Sequence, residues 1–157
     1  MRLTKTSIAI ALGVAALGVS ALAFHADPPR TLTPVLAGAQ IDSETLAIVE
    51  RACQNCHSER TEWPWYSHVP PASLLIHRDV VQARDRMNLT RWEDYSALEK
   101  QALLSAIGAA VRTGVMPPRR YTVLHPRSVL TGLERERVYR WTREERLRLR
   151  NSAEPAK

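Results

Sequence analysis

The stretch Cys53-Gln54-Asn55-Cys56-His57 constrains the fold of this chain more than any other feature. The spacing C-x-x-C-H is the attachment signature of a c-type haem, in which both sulfurs form thioethers to one porphyrin. Two cysteines three positions apart lie near one face of a helical turn, and His57 follows directly as a ligand for the iron. A chain with this signature has to fold around a flat, rigid cofactor.

Other uses of a cysteine pair require different surroundings. A structural zinc site normally has four Cys or His ligands, and no second C-x-x-C or spaced histidine pair follows in the sequence. A thioredoxin-like redox pair belongs in a βαβ context, which this sequence lacks. A simple disulfide remains an alternative. The motif predicts haem c, one per chain, attached covalently through Cys53 and Cys56.

The amino terminus has the pattern of an export segment. Two basic residues precede an uncharged run over residues 8–24, and an Ala-Leu-Ala sequence near its end offers a cleavage site. The run is also close to the length of a membrane-spanning helix, so residues 1–24 are either a signal peptide or an uncleaved membrane anchor. Both alternatives predict a periplasmic location, the second with residues 8–24 in the inner membrane.

The rest of the chain predicts one domain. Prolines and a glycine in residues 25–41 indicate an irregular linker, and residues 42–150 form the predicted c-type haem-binding domain. Residues 151–157 are predicted to be a disordered tail. A total of 157 residues leaves room for a single core of ordinary size.

Within residues 42–150 the sequence predicts four helices and no strands, which gives an all-α fold class. The first is capped by Asp42 or Ser43 and leads into the cysteine motif, and the second runs from about Ala72 to Met87. Capping boxes begin the other two, which run from about Ser96 to Thr113 and from about Thr131 onward. The apolar positions are Leu74, Leu75, Val80 and Val81 on the second helix, and Leu130, Leu133, Val138 and Trp141 on one broad side of the last. On the third helix Leu98, Ala102, Ile107 and Val111 repeat near helical spacing, which predicts a buried face.

The sixth ligand of the iron is predicted to be Met116. It lies in Gly114-Val115-Met116-Pro117-Pro118, directly after the third helix, where two prolines restrict the backbone. His/Met is a known axial pairing, although core packing is the commoner use of a methionine. The alternatives are His77 on the second helix, His68 or His125 in proline-containing loops, and an open sixth position.

Several motifs occur in a characteristic order: Cys53-x-x-Cys56-His57-Ser58, Thr61-x-Trp63-Pro64-Trp65-Tyr66-Ser67, Asn88-Leu89-Thr90-x-Trp92, Gly114-x-Met116-Pro117, Tyr121 and His125-Pro126. In these motifs and their order, the chain resembles the bacterial haem-binding domain proteins, a cytochrome c-like group. The resemblance implies a helical, cytochrome c-like domain wrapped around one covalently attached haem, facing the periplasm and often membrane-anchored. The segment from Ala72 to Met87 matches less closely, and no function is assigned to it.

The resemblance also implies that Trp63, Trp65 and Tyr66 line the haem or hydrogen-bond its propionates. Indole and phenol groups suit that role, although ordinary core packing uses the same apolar rings. Arg119 and Arg120, beside the Met116 loop, are expected to be exposed rather than paired with propionates.

Two classes of function follow. His57 and Met116 together close both axial positions, which predicts periplasmic electron transfer to or from an unidentified periplasmic or membrane redox partner, and no enzymatic activity. The alternative is a haem-based sensor or ligand-binding module with a displaceable sixth ligand. Peroxidase-like activity would need a polar distal pocket, which the sequence does not reveal.

Charge adds a hypothesis about partners. The formal net charge is +6, and the segment from Arg135 to Arg150 is rich in arginine. It could dock to an acidic redox partner or to anionic lipid, whereas the glutamates interleaved with the arginines are also typical of a solvated helix. Nucleic acid is not an expected partner in the periplasm.

Overall fold

The computed structural model describes residues 33–153, and this part of the chain is all-helical. No strand occurs in this range, so the predicted all-α class is confirmed for it. Its α-helices are α1 Ser43–His57, α2 Ala72–Arg86, α3 Ala97–Thr113, α4 Arg119–Thr122 and α5 Gly132–Ala153. Short 3-10 helices lie at Trp65–His68, Leu89–Asp94 and Pro126–Ser128.

None of the described helices combines the length and apolar character needed to cross a membrane. The predicted signal or anchor at residues 1–24 lies outside the described residues.

Local capping signals set the helix ends as predicted. Ser96 and Glu99 form a reciprocal capping box at the start of α3, and Thr131 and Glu134 exchange the same pair of bonds before α5. Gly114 ends α3 in a left-handed conformation with φ of 72°, which costs glycine little because it has no Cβ. These signals lie within four-residue windows, which explains why the sequence alone reveals them.

Helices α3 and α5 pack closely because α3 carries Gly108 at their contact. A Cβ atom added at Gly108 would lie 2.7 Å from Thr142 Oγ1 and 3.3 Å from Tyr139 Cδ2. Thr142 is buried, and its hydroxyl donates to the Tyr139 carbonyl at 2.7 Å. The backbones of α3 and α5 can therefore lie this close together because Gly108 has no side chain.

We expect Gly108→Ala to destabilise the protein by about 1 kcal/mol. Overpacking a buried contact costs about 1 to 3 kcal/mol, and the better helix propensity of alanine offsets about 1 kcal/mol of that. Gly132→Ala is the matched control because no atom lies within 4 Å of the Cβ position there. Urea unfolding followed by circular dichroism measures both variants. Equal stability of the two would contradict the close α3–α5 contact.

The folded domain begins before residue 42, which corrects the predicted linker. Leu36 is only 2% exposed and belongs to the core. The backbone of Gln40 is held by α5, because Trp141 Nε1 donates to its carbonyl at 2.9 Å and its N–H donates to Glu145 Oε1 at 3.3 Å. Proline and glycine marked this stretch as irregular, and it is irregular, but long-range packing fixes it to the domain.

The predicted boundary of the carboxyl-terminal tail needs a smaller correction. Helix α5 continues to Ala153, so residues 151–153 are helical rather than part of the predicted disordered tail. Residues 154–157 lie outside the described part.

Several side chains at the apolar positions noted in the sequence are exposed, among them Leu98, which was predicted to lie on a buried face. Leu133 is 86% exposed, and Leu98 is similarly open to solvent. Of the four apolar positions on α2, only Val80 is buried, whereas Leu74, Leu75 and Val81 are about half exposed. Of the three, Leu75 lines a cavity, whereas Leu74 and Val81 are not among the cavity residues.

Candidate cofactor site

A cavity of about 510 Å³ lies among α1, α2, α3 and the segment that follows α3. Its walls are mostly apolar, and its volume is within the range of about 300 to 1,000 Å³ typical of cofactor pockets. Six of the seven predicted site residues line it: Cys53, Cys56, His57, Trp63, Tyr66 and Met116. The structure therefore brings together residues that are up to 63 positions apart in the sequence.

Trp65 is the predicted site residue that the structure does not bring to the cavity. It begins the 3-10 helix Trp65–His68, is 77% exposed, and meets Tyr66 edge-on with ring centroids 5.8 Å apart. Successive side chains of a 3-10 helix point about a third of a turn apart, so Tyr66 can face the cavity while Trp65 faces solvent. The predicted role of Trp65 is thus not supported by its position.

His57 is the last residue of α1, and its imidazole is oriented by backbone carbonyls. Nδ1 lies 3.1 Å from the Ala83 oxygen and 3.3 Å from the Met87 oxygen. A carbonyl can only accept, so Nδ1 carries the proton and Nε2 keeps a free lone pair. Burial lowers the pKa of His57, which favours the neutral ring. A neutral imidazole fixed through its other nitrogen is the usual form of a histidine metal ligand.

The two cysteines are free thiols in the last turns of α1. Burial raises the pKa of Cys53 to about 12, with a smaller contribution from Cys56, and burial also raises the pKa of Cys56. Redox-active C-x-x-C pairs show the opposite shift, because their environment stabilises a thiolate. Among residues 33–153 no three Cys, His, Asp or Glu side chains gather as a metal site. The surroundings therefore favour neither a thioredoxin-like pair nor a zinc site.

Helix α2 supplies contacts that the sequence did not reveal. Besides the Ala83 carbonyl that orients His57, Arg84 Nε donates to the Ser58 carbonyl and Nη2 to Thr61 Oγ1, each at 2.8 Å. Arg84 thereby fixes the chain directly after the histidine. A backbone carbonyl has no sequence signature, and an arginine on a helix is normally taken as exposed.

The Asn88-Leu89-Thr90 motif has a structural role beside this site. Asn88 Oδ1 accepts from the backbone N–H and hydroxyl of Thr90, and Asn88 Nδ2 donates to Glu59 at 3.1 Å. The Glu59 N–H in turn donates to Thr90 Oγ1 at 3.1 Å. These bonds hold the loop after α2 against the residues that follow His57.

Met116 lines the cavity from the loop after α3. The N–H groups of Val115 and Met116 both point at the Ala110 carbonyl, at 3.1 and 3.3 Å, and two prolines follow. The Met116 side chain is 37% exposed, so it lies at the cavity rim. Of the alternative ligands, His125 lines the cavity, whereas His68 and His77 are not among its lining residues.

Polar side chains also meet at the cavity wall. Tyr66 Oη lies 2.5 Å from His125 Nε2, and Asn55 Nδ2 donates to Tyr121 Oη at 3.1 Å. The Tyr121 and His125 rings are stacked, with centroids 4.2 Å apart. The sequence marked Tyr121 only as a motif residue, and His125 as a motif residue and an alternative sixth ligand. It did not reveal their hydrogen bonds, because the partners lie at least 59 positions away.

Arg119 and Arg120 are exposed, as the sequence predicts. Arg120 pairs with Asp79 of α2 at 2.9 Å.

The donor set fits a haem. Two protonated thiols, a neutral imidazole with a free Nε2 and a thioether sulfur border one mostly apolar cavity. Thiol groups can carry a porphyrin as thioethers, and His and Met are established ligands of haem iron.

Comparison with known proteins agrees with this fit. The sequence profile described as "Haem-binding domain" matches residues 14–144. The chain is 26% identical over 148 residues to cytochrome c peroxidase Ccp of Escherichia coli (strain K12), covering 90% of this chain and 32% of that protein. The chain thus spans about a third of the length of this curated relative. No solved structure shows significant similarity to the present chain.

Proposed function

Since the chain belongs to the haem-binding domain family, we propose that it is a one-haem electron-transfer domain. In this proposal Cys53 and Cys56 carry the haem as thioethers, and His57 and Met116 are the axial ligands. A bound haem supplies an iron that changes reversibly between two oxidation states. The observation that carries the proposal is the position of all four side chains on one mostly apolar cavity.

The protein residues suit a site that exchanges electrons without binding a substrate. His57 is oriented by two carbonyls, and Met116 lies on a loop restricted by prolines, so both ligands are held by the fold. If His57 and Met116 both bound the iron, no position on it would remain for a substrate. The mostly apolar wall offers water few hydrogen-bonding partners, which would limit the rearrangement of solvent when the charge of the site changes.

The optical spectrum of the full chain matured with the c-type attachment machinery tests this proposal. We expect a low-spin spectrum and, in the oxidised form, the weak near-infrared charge-transfer band of methionine sulfur bound to iron. Such a band depends on the sulfur ligand, so a bis-histidine or open site would lack it. A haem-loaded protein without the band would overturn His57/Met116 ligation.

A second candidate is a haem-based sensor or ligand-binding module, with peroxidase-like activity as a special case. Two observations favour it: the relative named cytochrome c peroxidase, and the 37% exposure of Met116. The polar pair Tyr66 and His125 on the cavity wall offers the polar groups that such chemistry needs. Binding of carbon monoxide to the reduced protein separates the candidates, because fast stoichiometric binding requires an open or easily opened sixth position.

We further propose that the domain faces the periplasm, either released after cleavage of residues 1–24 or anchored through residues 8–24. Recovery of the protein from the cytoplasmic fraction of the cells that make it would contradict this.

Its redox partner is proposed to be acidic and to dock on the arginine side of α5. Arg140, Arg143 and Arg146 are exposed there, which provides positive charge for steering. Reduction by an acidic donor protein should slow as salt is added. A rate independent of ionic strength would argue against this surface.

A further inference from the structure

The segment after Met116 is tied to two other parts of the cavity wall. Tyr121 accepts a hydrogen bond from Asn55 Nδ2 at 3.1 Å, and His125 Nε2 pairs with Tyr66 Oη at 2.5 Å. The stacked rings of Tyr121 and His125, 17° from parallel, join the two contacts into one unit. We name Asn55, Tyr66, Tyr121 and His125 the Tyr121 strap.

One end of the strap is fixed within the haem-attachment motif. Asn55 lies between the two cysteines, and its Oδ1 accepts the Glu62 N–H at 3.1 Å. A backbone N–H can only donate, so the Asn55 amide has its oxygen toward Glu62 and its NH₂ group toward Tyr121. The Asn55 carbonyl also accepts the Thr61 hydroxyl at 2.6 Å. Asn55 therefore presents a well-oriented donor to Tyr121.

The other end of the strap is connected to Met116 through a short, stiff segment. The Tyr121 N–H donates to the Pro118 carbonyl at 2.9 Å, which closes the first turn of α4. Pro117 and Pro118 have fixed φ angles, so few free dihedrals separate Tyr121 from Met116. On its other side the Met116 loop is held by α3 through Ala110. A displacement of Tyr121 would therefore move Met116.

We propose that Tyr121 is a positioning residue, and that the Tyr121 strap holds Met116 at the iron and sets how often the sixth position opens. This inference rests on the proposed His57/Met116 ligation. The nearby Arg120–Asp79 ion pair contributes less, because the arginine side chain is 74% exposed and exposed ion pairs are weak. The bond between Asn55 and Tyr121 is partly buried and joins two ligand-bearing segments directly.

Tyr121→Phe in the haem-loaded full chain tests the inference, because it removes the hydroxyl and keeps the ring that stacks on His125. We expect the open form to increase about fivefold, the effect of one lost hydrogen bond. Two measurements report it: earlier loss of the near-infrared sulfur band on warming, and faster binding of carbon monoxide. The matched control is Tyr139→Phe, which removes a hydroxyl bonded to Arg112 at 3.0 Å on the surface.

Asn55→Ala removes the other partner and keeps Tyr121 intact. Asn55→Ala also loses the bond from the Glu62 N–H, so its own effect can exceed that of Tyr121→Phe. If the two residues act as a pair, the double variant should open no more than Asn55→Ala, because the bond to Tyr121 is already lost there. If both single variants lose the near-infrared sulfur band at the same temperature as Tyr139→Phe does, the proposed role of the Tyr121 strap is wrong. A parent protein without any sulfur band would instead overturn the proposed ligation itself, so the two failures are distinguishable.

Discussion

Replacement of both Cys53 and Cys56 by serine (C53S/C56S) is expected to reduce covalently bound haem from one per chain to none. Serine keeps the size of the side chain but cannot form a thioether. Haem staining after denaturing electrophoresis measures the loss. We also expect the free energy of unfolding to fall by at least about 3 kcal/mol, because a large apolar cavity would lose its contents.

The single variants refine this prediction. Cys53→Ser and Cys56→Ser should each keep one thioether, and each should shift the absorption of the reduced pyridine complex because one vinyl group stays unreacted. Gln54→Ala is the matched control, since Gln54 lies between the cysteines on α1 but is not among the cavity residues. Covalent haem in C53S/C56S equal to that in Gln54→Ala would refute attachment at these positions.

Met116→Ala is expected to abolish the near-infrared sulfur band and to accelerate carbon monoxide binding by at least about tenfold, equivalent to about 1.4 kcal/mol of the barrier. Alanine leaves the sixth position without a protein ligand, so carbon monoxide no longer has to displace one. Rapid mixing of the reduced protein with carbon monoxide measures the rate.

A second methionine provides the control for this prediction. Met87 lines the same cavity, but its contact with His57 uses the backbone carbonyl, which Met87→Ala retains. Met87→Ala should therefore keep the sulfur band. If Met116→Ala instead remains low-spin and closed to carbon monoxide, His125→Ala in that background would show whether this cavity histidine is the ligand.

The sequence by itself determined the features that depend on short-range chemistry. The C-x-x-C-H spacing indicated the end of α1 that we propose carries the haem, because attachment needs these groups within five residues. Capping residues such as Ser96 and Thr131 marked the starts of α3 and α5, since a cap bonds only to its own first turn. Family likeness rested on the same local motifs and is confirmed by the match over residues 14–144.

Only the tertiary structure decided which side chains face the cavity. Trp65 and Tyr66 are neighbours of similar chemistry, yet one is in solvent and the other on the cavity wall. Leu133 and Val138 both belong to the apolar pattern of α5, and only Val138 is buried, because α3 covers one side of that helix. Periodicity shows that a helix has an apolar side, but it does not determine how wide the buried part of that side is.

The orientation of His57 and the tie from Asn55 to Tyr121 also came from the tertiary structure alone. Their partners are 26 to 66 positions away, and one of them is a backbone carbonyl that every residue type possesses. Burial of Leu36 in a stretch predicted to be a linker has the same cause. A sequence specifies the chemistry of each group, whereas its neighbours depend on how the whole chain packs, since hydrogen bonds and apolar contacts act only over a few ångströms.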